Sequence, residues 1–171
     1  FNQAGASASA KEGRNMKKLF MTILAVMLMA STSWAAGSCT QTLSDTANPI
    51  MKSLKFVCTG DAADGSIPNT DINAANMAAI EGFYVYSVSA YPTAGGTAPD
   101  AADVQILQGS FDILGGKGVN LIHATARYDV FPYSTFMSSW RYWPITTTLT
   151  LAVANQATHS ANYTIELIIS R

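Results

Sequence analysis

The chain has 171 residues, of which 12% are charged and 49% hydrophobic, with ten Lys and Arg against eleven Asp and Glu. Such sparse, unclustered charge excludes a nucleic-acid surface, which needs Lys and Arg gathered on one face. The length allows one domain with a sizeable core.

In chain order, residues 1–15 fit no targeting class. Lys11-Glu12-Gly13-Arg14-Asn15 back-translates to a purine-only stretch like a ribosome-binding site, so residues 1–15 are expected to be translated leader and Met16 the true start. Residues 16–35 then read as a signal peptide. Lys17 and Lys18 form a positive start, residues 19–30 form a twelve-residue apolar run, and Ser33-Trp34-Ala35 supplies small residues at the cleavage positions. Twelve apolar residues are too few for a membrane span, which needs about 20. The expected product is one exported domain, residues 36–171, in the periplasm, at the cell surface or outside the cell, with no membrane attachment after cleavage. Cys39 and Cys58 would then meet an oxidising compartment and form a disulfide.

Residues 38–46 and 52–59 read as a hairpin around Asn48-Pro49, with the disulfide tying its open ends. Residues 60–73 are a loop. Residues 73–80 are Ala-rich and fit either one helical turn or a strand edge. Residues 81–91 read as a central strand, with Tyr84, Tyr86 and Val88 on one face and Phe83, Val85 and Ser87 on the other. Residues 104–107 and 111–114 read as a hairpin, and Gly115, Gly116 and Gly118 permit positive φ. Residues 119–125 fit a strand or a helical turn, and 127–143 are rich in aromatic residues. Finally, Ile145, Leu149, Leu151 and Val153 alternate with Thr146, Thr148 and Thr150, and Tyr163, Ile165, Leu167 and Ile169 alternate with Thr164, Glu166 and Ser170. Period-2 alternation marks strands with one buried and one wet face, and the two runs read as a closing hairpin. The fold class expected is all-β: a single β-sandwich of seven to eight strands, jelly-roll-like in arrangement, after the N-terminal signal helix.

Catalytic constellations are missing from the sequence. His123 and His159 are isolated, there is no Gly-x-Ser-x-Gly elbow, and the 115–118 glycines lack the spacing of a phosphate loop. Glu81 and Glu166 have no carboxylate partner nearby in sequence. The protein is therefore expected not to be an enzyme and to need no cofactor. Asp61, Asp64 and Asp71 share a loop and are weak calcium candidates, since their spacing misses the EF-hand pattern. Trp140, Arg141, Tyr142 and Trp143 form the best binding candidate. Aromatics with Arg are enriched at interface hot spots, and such rings can also stack on sugars.

Residues 112–125 (Asp-Ile-Leu-Gly-Gly-Lys-Gly-Val-Asn-Leu-Ile-His-Ala-Thr) and 144–156 (Pro-Ile-Thr-Thr-Thr-Leu-Thr-Leu-Ala-Val-Ala-Asn-Gln) form two recognisable blocks. Together with Gly95-Gly96-Thr97-Ala98-Pro99, they resemble small structural proteins encoded in phage and prophage gene clusters. The resemblance spans residues 83–169. It implies a virion-associated, decoration-like β-domain that assembles with copies of itself or with other virion or surface proteins. The export signal points to a secreted or surface role instead. The expected function is thus a non-enzymatic structural or assembly protein, with a secreted carbohydrate- or surface-binding module using residues 140–143 as the alternative.

Overall fold

A computed structural model describes residues 36–171. The leader and signal-peptide expectations lie outside these residues. The described chain is all-β, with twelve strands and one short helix, rather than seven or eight strands. Six strands are long: β1 (Ser38–Asp45), β2 (Met51–Thr59), β4 (Tyr84–Pro92), β5 (Asp103–Gln108), β11 (Leu149–Ala154) and β12 (Asn162–Ser170). The other six are short: β3 (Thr70–Asp71), β6 (Phe111–Asp112), β7 (Tyr128–Val130), β8 (Tyr133–Ser134), β9 (Ser139–Trp140) and β10 (Trp143–Pro144).

The larger sheet runs β1-β2-β12-β4-β10, with β7 also paired to β4, and the second runs β3-β11-β5-β6. All strand pairs are antiparallel. The alternation in β12 sets its inner face: Tyr163, Ile165, Leu167 and Ile169 are all fully buried. They join Leu54 and Phe56 of β2, Val85, Val88 and Ala90 of β4, and Val104, Ile106, Leu149 and Leu151 of the second sheet in one hydrophobic cluster. Burying a side chain of this size removes about 1.5–3 kcal/mol of unfavourable hydration, so this cluster holds the two sheets in one fold.

Three expectations need correction. The closing hairpin does not form, because β11 pairs with β3 and β5 while β12 pairs with β2 and β4. Residues 155–161 instead carry the chain from one sheet to the other. The first run is a strand only from Leu149, since residues 145–148 belong to none; the alternation in β12 holds, but it reports which face is buried and not which strand lies alongside. The two-face reading of β4 also fails. Leu167 pairs with Val88 and Ile169 with Val85, and the register shifts at Ile168/Ile169. Tyr86 is the extra residue of a β-bulge, so Val85 and Val88 both reach the core. Residues 119–125, third, form neither strand nor helix; they are turns with a single bridge from Ile122 to Ala102.

Other local features follow the residue chemistry. Residues 74–80 form helix α1 (Ala74–Ile80), started by the Asn73 side chain, which accepts from the Asn76 amide at 2.9 Å. Cys39 and Cys58 lie directly opposite each other in the β1–β2 pair and form the disulfide. The turn after β6 needs Gly115 and Gly116 at φ 57° and 77°. Gly118 is required for closeness rather than φ, since a Cβ there would run into the Val104 carbonyl.

Candidate functional site: an aromatic groove

The aromatic stretch leaves and rejoins one edge of one strand. β7 pairs with β4 at Val88–Ala90, and β10 pairs with β4 at Tyr84 and Val85. Between these anchors lies the bulge at Tyr86. Phe131 is the first residue after β7, and Tyr142 the last before β10. The bulge therefore delivers Tyr86 between two rings: Phe131 meets it edge-on with centroids 5.8 Å apart, and Tyr142 stacks on it at 5.2 Å and 26°. Bulges commonly redirect a side chain in this way.

The intervening residues fold into the β8–β9 hairpin, where Tyr133 pairs with Trp140 and Ser134 with Ser139. Ser134 Oγ accepts from the Met137 amide at 3.2 Å and closes the turn. Trp140 packs edge-on against Tyr133 at 5.0 Å and Phe131 at 6.3 Å. The Arg141 amide donates to the Pro132 carbonyl at 3.0 Å, and its guanidinium reaches Met137 Sδ at 3.4 Å. The outcome is a groove of about 550 Å³ lined by Tyr86, Phe131, Trp140, Arg141 and Tyr142. Three of its rings stay partly in water, Phe131 at 42%, Trp140 at 55% and Tyr142 at 56% exposure, and Phe136, at the hairpin tip outside the lining, is 95% exposed.

Of the four residues nominated from sequence, three line this groove and one does not. Trp143 is half-buried, packs against the core and stacks on Phe111 at 4.9 Å and 13°. Its β10 pairing with Val85 sets it against the core, while Tyr142, just before the strand, stacks on Tyr86. Tyr86 was missed, because it lies 54 residues before Trp140 in a stretch that reads as ordinary strand. The proximity of Phe131 to Trp140 could have been suspected from their short separation.

The aspartates nominated for calcium do not converge. Asp61 and Asp64 each accept from the backbone amide two residues on, Ala63 at 2.5 Å and Ser66 at 2.9 Å, while Asp71 in β3 accepts from Thr150 Oγ1 at 2.5 Å. The first two are turn-forming contacts. Among the described residues, no three His, Cys, Asp or Glu gather as a metal site.

A polar cluster anchors the root of the groove. Glu166, expected on the wet face of its strand, is only 8% exposed. It accepts from Ser53 Oγ at 2.5 Å, and Arg127 Nη1 and Lys55 Nζ lie at 3.4 and 3.7 Å. Arg127 also donates to Ser89 Oγ at 2.7 Å and to Asp129 at 3.1 Å, and stacks over Tyr91 at 5.1 Å. The Ser89 hydroxyl and then Arg127 hold the Asp129 carboxyl below its usual range. Burial and the charge of Glu166 push the Tyr91 phenol up. These contacts tie β7 to the sheet just before Phe131.

No family model, curated protein or solved structure matches the chain. The disulfide and the lack of any helix long and apolar enough to cross a membrane among the described residues are compatible with an exported protein.

Proposed function

We propose that this protein is a non-enzymatic assembly module, virion-associated or displayed at a cell surface, that docks copies of itself through the aromatic groove. The observation that carries this reading is the exposed set of rings on a domain whose other large apolar side chains are mostly sealed in the core. An exposed apolar patch is costly in water and marks an interaction surface. The lining, four aromatics and one Arg, has the composition of a protein hot spot. It holds no Asp, Asn, Glu or Gln to read sugar hydroxyls, which favours a protein surface over a glycan in this groove. The two sheets enclosing one core support a two-layer β-sandwich, and the resemblance to phage structural proteins supports self-assembly. The disulfide supports export to an oxidising compartment.

The test is sedimentation velocity of the purified protein over a concentration series. The wild type is expected to self-associate, and the Phe131→Ser/Tyr142→Ser double variant to remain monomeric with unchanged far-UV circular dichroism. A wild type that stays monomeric throughout, or a double variant that associates equally well, overturns the reading.

A further inference from the structure

Trp140 separates two depressions of different chemistry. On one flank lies the apolar groove. On the other, a depression of about 490 Å³ is lined by Lys117, Asn120, His123, Tyr128, Asp129 and Trp140, among others. Its volume falls in the range of small-ligand sites. Where the groove has only Arg141 and phenol hydroxyls, this depression adds an ammonium, a carboxamide, an imidazole and a carboxylate beside an indole.

We propose that this depression binds one neutral pyranose unit, its apolar face against the Trp140 indole and its hydroxyls on Asn120, His123 and Asp129. The lining suits a polyol better than an ion, because it combines donors and acceptors of both signs with one exposed indole. A phosphate would meet the Asp129 carboxylate, and an ammonium would meet Lys117. A sugar ring offers what the site needs: a flat C–H face for an aromatic ring, and hydroxyls that both donate and accept.

Neighbouring contacts position Asn120, His123 and Asp129. Asn120 sits at φ 53°, a left-handed conformation that Asn tolerates, and its backbone N–H donates to Asp103 Oδ1 at 2.8 Å, which fixes the backbone that carries the carboxamide. His123 Nδ1 accepts from the Thr125 amide at 3.3 Å. In the neutral ring the proton then resides on Nε2, which makes that nitrogen the donor. The imidazole is steadied edge-on by Tyr128 at 5.3 Å. Asp129 uses Oδ1 for Ser89 and Arg127, and Oδ2 makes neither of these bonds. A charged oxygen is a strong acceptor for a hydroxyl. Trp140 is fixed by Tyr133 and Phe131, so a ring settling on it loses little side-chain entropy.

This site shares Trp140 with the groove but no other lining residue, so variants at Asn120 or His123 and at Tyr142 test the two apart. The test titrates the purified, isotopically labelled protein with free glucose, galactose, mannose and N-acetylglucosamine, followed by amide and indole nuclear magnetic resonance shifts. At least one sugar is expected to give saturable shifts at Trp140 and residues 117–130, with a dissociation constant on the order of 1 mM. Asn120→Ala and His123→Ala should each weaken it on the order of tenfold, the loss of about one hydrogen bond. Trp140→Ala should abolish it, and Tyr142→Ala should leave it unchanged while still impairing self-association. The absence of saturable shifts with all four sugars at about 100 mM, a hundredfold above that constant, overturns the proposal. So does sugar binding lost in Tyr142→Ala but retained in Asn120→Ala, which would move the sugar into the groove.

Discussion

The β2–β12–β4 centre of the large sheet and the 131–142 excursion at its edge make opposite use of apolar side chains. In the centre, nine-residue strands pair in long registers, and every inward side chain of β12 is fully buried. In the excursion, strands are two residues long and the large rings face water. The first arrangement converts apolar area into stability. The second forgoes that gain, and its rings hold each other by edge and stacking contacts worth about 0.5–1.5 kcal/mol a pair. The difference teaches that one strand can serve a sealed core and an open groove at once: Val85 and Val88 of β4 reach the core, and Tyr86 at the bulge between them lines the groove.

The largest contrast should come from paired truncations. Leu167→Ala, between Leu54 and Val88 in register, should lose about 2–5 kcal/mol in urea denaturation. Trp140→Ala should lose about 1 kcal/mol or less, because its site is half in water. Similar losses in the two variants would erase the division of roles. Next in size, the Cys39→Ala/Cys58→Ala double variant removes a link between residues 19 apart. It should unfold about 3 kcal/mol more easily in the chain-entropy account. The staple belongs to the sheet, so self-association through the groove should persist wherever the variant remains folded.

The smallest effect concerns the polar root. Folding lowers the Asp129 pKa, so the charged form is favoured in the native state. The stabilisation is therefore present at neutral pH and is lost as pH falls through and below the ordinary aspartate value of about 4. The carboxylate side chain is 53% exposed, which limits the effect to under about 1 kcal/mol. Thermal melts of Asp129→Asn should fall below wild type at pH 7 and converge with it near pH ~3. A constant gap across that range would assign the effect to packing rather than to charge.

Strand faces were legible in the sequence wherever alternation ran uninterrupted. Tyr163, Ile165, Leu167 and Ile169 point inward as their spacing implies, and Cys39 and Cys58 pair as their shared hairpin implies. The local hairpins β1–β2 and β5–β6 were legible, but the partners of β11 and β12 were not, because these carry the same alternation whether they lie side by side or in different sheets. The groove was half legible. Trp140, Arg141 and Tyr142 announce themselves by composition, but Tyr86 joins them through a bulge that shows only as a register shift against β12. Trp143 looked equivalent to its neighbours and was separated from them by its β10 pairing with Val85. Glu166 has the parity of a wet residue, and its partners Ser53, Lys55 and Arg127, all distant in sequence, reveal why it is covered.

The position of β12 also governs the order in which the molecule can be made. Its partners are β2 and β4, and the hydrogen bond from Ser53 to Glu166 spans 113 residues. The β1–β2 hairpin can form from local sequence, but until residues 162–170 are available β2 and β4 each present an open edge. Contacts so distant in sequence make folding slow, and open edges invite pairing with the wrong strand. A chain of this topology keeps its central sheet unfinished until residues 162–170 dock between β2 and β4.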